Sequence, residues 1–121
     1  MPAMSDSRFL AFDLTGLTPE TGAPPADRIV AGQPTTRTWN LDESEDGRGF
    51  SGVWEATAGA WRVVYDEWEF CQILAGVSIL HEDGAPARTV RAGDSFVLRP
   101  GFTGVWEVVE TTRKAYVIRL P

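Results

Sequence analysis

The sequence has one cysteine, one histidine and no basic cluster, and each shortage removes a class of function. A single cysteine, Cys71, leaves neither an intrachain disulfide nor a Cys-based zinc cluster to staple the fold. The single histidine, His81, stands beside the turn Glu82-Asp83-Gly84 and reads as a solvated residue rather than a metal ligand. Ten of the eleven basic residues are Arg, and they are scattered among seventeen acidic ones. The net charge of −6 offers no stripe to neutralise phosphates, which argues against nucleic acid and anionic membranes as partners. No apolar run is long enough to span a bilayer, and no basic region followed by an apolar one opens the chain. A soluble, cytoplasmic protein is the expectation.

What is present points to one all-β domain. The 121 residues, 43% hydrophobic and 23% charged, fit a single globular unit with enough core to fold unaided. Five of the eight prolines (Pro2, Pro19, Pro24, Pro25 and Pro34) fall in residues 1–34. The apolar segment Phe9–Leu14 reads as a short strand, and Thr15–Ala26 as an extended arm without helical or strand period. From Thr35 to the C-terminus at 121 the chain reads as one domain of short β-type runs. These are Thr35–Leu41, Phe50–Thr57, Trp61–Tyr65, Phe70–Leu80, Ala87–Val90, Ser95–Leu98, Gly104–Val109 and Lys114–Leu120. Gly76 interrupts the fourth run, and Glu110-Thr111-Thr112 separates the last two as a turn. Asp83-Gly84 and Gly93-Asp94 are strong turn signals between β-branched and aromatic residues. Regularly spaced short strands without helices predict an antiparallel sandwich or barrel.

Two segments are more specific. Glu69-Phe70-Cys71-Gln72-Ile73-Leu74-Ala75-Gly76 holds an acidic residue, six spacers and a glycine. Gly93-Asp94-Ser95-Phe96-Val97-Leu98-Arg99-Pro100-Gly101 holds a Gly-Asp pair, a short strand and a Pro-Gly turn. Together they resemble the two motifs of the cupin superfamily, joined by the short hairpin Val77–Ala92. More narrowly, Gly59–Cys71 and Gly101–Lys114 look like small single-domain cupins related to the cupin parts of ureidoglycine aminohydrolases and ethanolamine-utilisation proteins. The resemblance covers about Thr35 to Leu120. It implies a cupin-type double-stranded β-helix, or jelly-roll barrel, with an extended N-terminal arm. It implies no single reaction, since one fold hosts many chemistries. It also implies a homodimer: related cupins pair sheet edges, and Phe9, Leu10, Phe12 and Leu14 on the arm gain by lying on another surface.

Metal-binding cupins place two histidines shortly before the acidic residue and a third after the Pro-Gly turn. Here Trp61–Trp68 contains no histidine and Gly104 stands at the third position, so of the usual four ligands only Glu69 remains. Carboxylates without imidazoles suit harder, weakly held ions. The expectation is no tightly bound transition metal and no cofactor.

If Glu69 points into the barrel, as its equivalent does in related cupins, strand alternation puts Cys71 and Ile73 on the same face. Parity carried backwards adds Tyr65 and Glu67. From an inward Gly104 it adds Trp106 and Val108, and the run Phe50–Thr57 offers Trp54. The expected small-molecule pocket therefore has Glu69, Glu67 and Tyr65 as candidate catalytic residues and Trp54, Trp106 and Cys71 as candidate ligand contacts. Two carboxylates on one face repel, raising at least one pKa towards the range useful for proton transfer. The plainer alternative turns Glu67 to solvent and pairs Glu69 with Arg62 or Arg99. Cys71, in an apolar strand with no histidine near it, reads as a small buried hydrophobe more readily than as a nucleophile. Trp39, Trp61 and Trp68 read as packing or subunit-contact residues, and Asp42–Asp46 as a solvated turn. On the unpaired reading, Glu69→Gln abolishes binding of a cationic ligand and leaves stability unchanged or raised.

Three functions fit this pattern. The first is a binder of a small polar molecule, or a metal-independent enzyme, working with carboxylates and aromatics. The second is a metal-dependent aminohydrolase or isomerase with Glu69, Glu67 and Tyr65 as atypical ligands. The third is a dimeric structural or regulatory domain whose barrel is simply filled.

Overall fold

The computed structural model describes residues 7–121, so Pro2 of the proline-rich arm lies outside the described residues. The fold is all-β. In chain order the strands are β1 (Glu20–Gly22), β2 (Ile29–Gly32), β3 (Thr36–Glu43), β4 (Gly49–Ala56) and β5 (Gly59–Val64). Then follow β6 (Trp68–Glu82), β7 (Arg88–Arg91), β8 (Ser95–Leu98) and β9 (Thr103–Arg119). Every pairing is antiparallel.

Two long strands, β6 and β9, run side by side and organise the jelly roll. The N-terminal half of β9 also borders β5, and its C-terminal half borders β4. On its other edge β6 borders β8 at Glu69–Gln72 and β7 at Val77–Leu80. Both long strands therefore serve both walls. Alternation fills the space between the walls with Trp54, Trp61, Tyr65, Ile73, Leu80, Leu98 and Trp106.

The breaks read at Gly76 and at Glu110-Thr111-Thr112 are one feature seen from two strands. The chain does not turn at residues 110–112: β9 is continuous through them. The register between β6 and β9 slips between Ile73 and Ser78, so the pair bends there without separating. Gly76 sits at this bend with φ +86°, and a Cβ on it would lie 2.0 Å from the Thr111 carbonyl oxygen. The turns at Asp83-Gly84 and Gly93-Asp94 form as read, with Gly84 and Gly93 at positive φ.

Phe9–Leu14 forms no strand. Phe9, Leu10 and Phe12 are exposed, while Phe12 and Leu14 border a shallow cleft with Val53, Leu74 and Ala115 on the outer face. Within Thr15–Ala26, read as an arm without period, Glu20–Gly22 pairs with β3 in the register Glu20↔Thr38. Ile29–Gly32 pairs with β5. Trp39 packs on the outside beneath Arg37 and Arg113, whose guanidinium groups lie 5.2 and 5.0 Å from its ring and both pair with Glu55. The acidic turn is closed by Asp46, which accepts from Arg119 and from the Arg48 backbone N–H.

Candidate functional site

Between the walls, at the β3–β5 side, lies a cavity of 490 Å³. Its aromatic wall comes from three strands: Trp54 on β4, Trp61 on β5 and Trp106 on β9. Trp54 meets Trp61 at a centroid distance of 6.1 Å and Trp106 edge-on at 5.6 Å. A relay fixes Trp106: its Nε1–H donates to Ser78 Oγ (3.1 Å), Ser78 lies 2.7 Å from Thr112 Oγ1, and Thr112 donates to the Glu110 carbonyl. An indole with its N–H satisfied in this way is held in one orientation.

The polar base is built around Glu69. It is 3% exposed, and both carboxylate oxygens are engaged. Oε1 accepts from the Tyr65 hydroxyl at 2.7 Å, and Oε2 faces the Lys114 ammonium at 2.9 Å. The cation that satisfies Glu69 is thus neither Arg62, which pairs with Asp83, nor the exposed Arg99. Lys114 is the chain's only lysine, is 5% exposed, and projects inward from β9. Its Nζ lies 4.7 Å from the Trp54 ring centroid and 4.5 Å from that of Trp106, and donates to Cys71 Sγ at 3.7 Å. Beside it Tyr116 donates to Asn40 Oδ1 at 2.8 Å.

Burial and these neighbours set the protonation states. Burial penalises the Lys114 ammonium, but the Cys71 sulfur and the Glu69 carboxylate outweigh that and raise its pKa above the lysine norm. Burial pushes the Cys71 thiol up to about 12, against the pull of Lys114. The thiol is therefore neutral at physiological pH, which leaves Glu69 as the operative partner of Lys114. Burial, then the Glu69 carboxylate, raises Tyr65 well above its ordinary value, and the same two causes push Tyr116 up to about 12. None of these groups is a ready nucleophile at neutral pH.

The structure brings five of the six expected site residues to the cavity: Trp54, Tyr65, Glu67, Glu69 and Trp106. Cys71 faces the interior but lies beneath Lys114 and does not line the cavity. Trp61, read as a packing residue, is also a wall residue, whereas Trp68 is exposed. Sequence reasoning missed Lys114, Tyr116, Asn40 and Glu20. Glu20 reaches the rim through the β1–β3 pairing. Glu67 and Glu20 form no ion pair among the described residues. Glu67 accepts the Asp66 backbone N–H at 3.0 Å. His81 Nε2 donates to the Glu107 carboxylate at 2.8 Å on the outer surface, away from the cavity.

These residues do not fit a transition metal. The one carboxylate at the ligand position is saturated by an ammonium and a phenol. Among the described residues no three His, Cys, Asp or Glu side chains converge. Gly104 admits no ligand either: a Cβ there would lie 2.1 Å from the His81 carbonyl oxygen.

Two long strands bent around an inward acidic residue, with Gly-Asp and Pro-Gly turns between them, are the architecture of a small cupin. Sequence comparison gives the narrower assignment: the chain belongs to the family of EutQ-like cupin domains (Cupin_3), which it matches over residues 43–116. Similar solved structures include a Pseudomonas syringae pv. tomato protein of unknown function from the DUF861 family. That protein is 24% identical with a TM-score of 0.78, and the likeness covers 88% of this chain and 46% of that one. This chain therefore spans just under half the length of that relative. The Clostridium difficile EutQ protein is 19% identical with a TM-score of 0.63, covering 80% of this chain and 72% of its own. A predicted oxalate decarboxylase of Thermotoga maritima is 17% identical with a TM-score of 0.72, covering 93% and 100%. These likenesses are of fold. No curated protein matches the sequence. No helix of the described residues is long and apolar enough to cross a membrane.

Proposed function

We propose that the barrel cavity binds a small polar molecule carrying a cationic group, without a tightly bound transition metal. The observation that carries this reading is the charge of an aromatic-walled cavity: its lining holds Glu20, Glu67 and Glu69 against the single ammonium of Lys114. Lys114 offsets Glu69, so Glu20 and Glu67 are the carboxylates left to meet a ligand. Indole and phenol faces beside free carboxylates favour organic cations. The arm's Arg28 stands in a neighbouring cleft that shares Glu67, where its charge limits how far a cation is favoured towards that side. Any proton transfer falls to Glu67, because Tyr65 and Lys114 are committed to Glu69. Self-association belongs to the same reading: Phe70, Val97 and Val117 pair across three neighbouring strands and present an apolar strip on the outer face, with Leu74 nearby.

The test is calorimetric titration with size-matched small amines, alcohols and carboxylates. The amines should bind, and Glu67→Gln should weaken them about tenfold, the loss of one partly desolvated charge contact. Preference for the carboxylates, or amine binding unchanged in Glu67→Gln, would overturn the reading.

A further inference from the structure

We infer that the Lys114 ammonium is a built-in cation that occupies, from within the fold, the place at Glu69 where a metal-type barrel would hold its ion. The inference stands on the geometry of the buried pair and not on which ligand the cavity takes. The enclosure around Nζ is that of an ammonium receptor: a carboxylate oxygen at 2.9 Å and two indole faces at 4.7 and 4.5 Å. Glu69 is the carboxylate, Cys71 is a neutral thiol, and Tyr65 and Tyr116 are un-ionised phenols. The chain otherwise uses Arg for every positive charge, and a planar guanidinium with five donors would leave N–H groups unmet in this apolar enclosure. A primary ammonium on a four-carbon stem reaches Glu69 from β9 and fits between the indoles. Because the cation is tethered, its effective concentration at Glu69 exceeds that of any free ion. A divalent ion would have to displace it and then bind beside it.

The consequence is a latent binding site. Lys114→Ala removes three methylenes and the nitrogen, which are the atoms of n-propylammonium, and leaves Glu69 and both indoles to receive that ion. Thermal unfolding of the wild type and of Lys114→Ala is followed with n-propylammonium, with 1-propanol as neutral isostere, and with Mn²⁺ or Zn²⁺. Propylammonium should raise the melting temperature of the variant by about 3 °C or more beyond its effect on the wild type. Propanol should not. Any response shared equally by wild type and variant reports the rim carboxylates, so this test and that of the cationic ligand fail separately. Equal rescue by propanol, or stoichiometric metal binding by the wild type, would overturn the inference. Should Lys114→Ala not fold, Lys114→Met keeps the volume and deletes the charge. It should be less stable than wild type, and Glu69→Gln added to it should recover most of the loss. A double variant no more stable than Lys114→Met would equally refute the built-in cation.

Discussion

Glu69 and Lys114 are buried together, and such pairs are expensive to break even when they add little to stability. That reverses the expectation for Glu69→Gln. An unpaired carboxylate would have been relieved by the change, but here the amide strands an ammonium that is 5% exposed. Glu69→Gln should therefore lower stability by roughly 3–5 kcal/mol in denaturant titration, and a stability equal to wild type would contradict the pairing. The site also fixes the alkaline limit of the fold. Lys114, Tyr65, Tyr116 and Cys71 all have folded pKa values above their ordinary ones. Each contribution is complete below the unfolded-state value and is lost as pH rises through the folded one. Stability should fall from around pH 9.0, where the unfolded thiol is half ionised, to about 12. Melting temperatures of Cys71→Ser across this range should show the onset moved to pH 10.0, where the unfolded tyrosines take over.

At the scale of strands, the bend between β6 and β9 is sensitive to a single atom. Gly76→Ala would drive a Cβ towards the Thr111 carbonyl at a φ that L residues avoid. It should cost at least about 2 kcal/mol of unfolding free energy, whereas Gly84→Ala, in an open turn, should cost less. The same bend explains which parts of the site were legible. Tyr65, Glu67 and Glu69 follow from one anchor, the Glu-to-Gly spacing, and from alternation. Alternation from Trp106 also reaches Lys114 and Tyr116, provided the strand continues. Glu110-Thr111-Thr112 has the polarity of a turn, and reading it as one stops the count at Val108. What keeps those residues in β9 is pairing with β4 and β6, a tertiary effect without local signature. Glu20 was illegible for a related reason: a three-residue strand in a Pro-rich arm has no period of its own, and β3 alone sets its place. The short strands and both Gly turns were legible because their chemistry is local.

For the whole molecule, the proposed self-association predicts a dimer mass by light scattering across micromolar concentrations. Replacing Phe70 and Val117 with Lys on the outer face should yield a monomer with the cavity intact, and a wild-type monomer throughout would refute the dimer. Truncation before Thr18 tests any share the apolar arm has, since it spares β1 and the Glu20 rim. The burial of Cys71 beneath Lys114 has a practical corollary at this scale. Its sulfur is fully buried and stays protonated to about pH 12, so a thiol reagent reaches it only when the barrel opens. As the chain's only thiol, it is a native stopwatch for that opening, its labelling rate readable without any introduced probe. A molecule that settles into the cavity stabilises the closed barrel and slows the clock, which turns a library screen for cavity binders into a measurement of one sulfur's reaction rate.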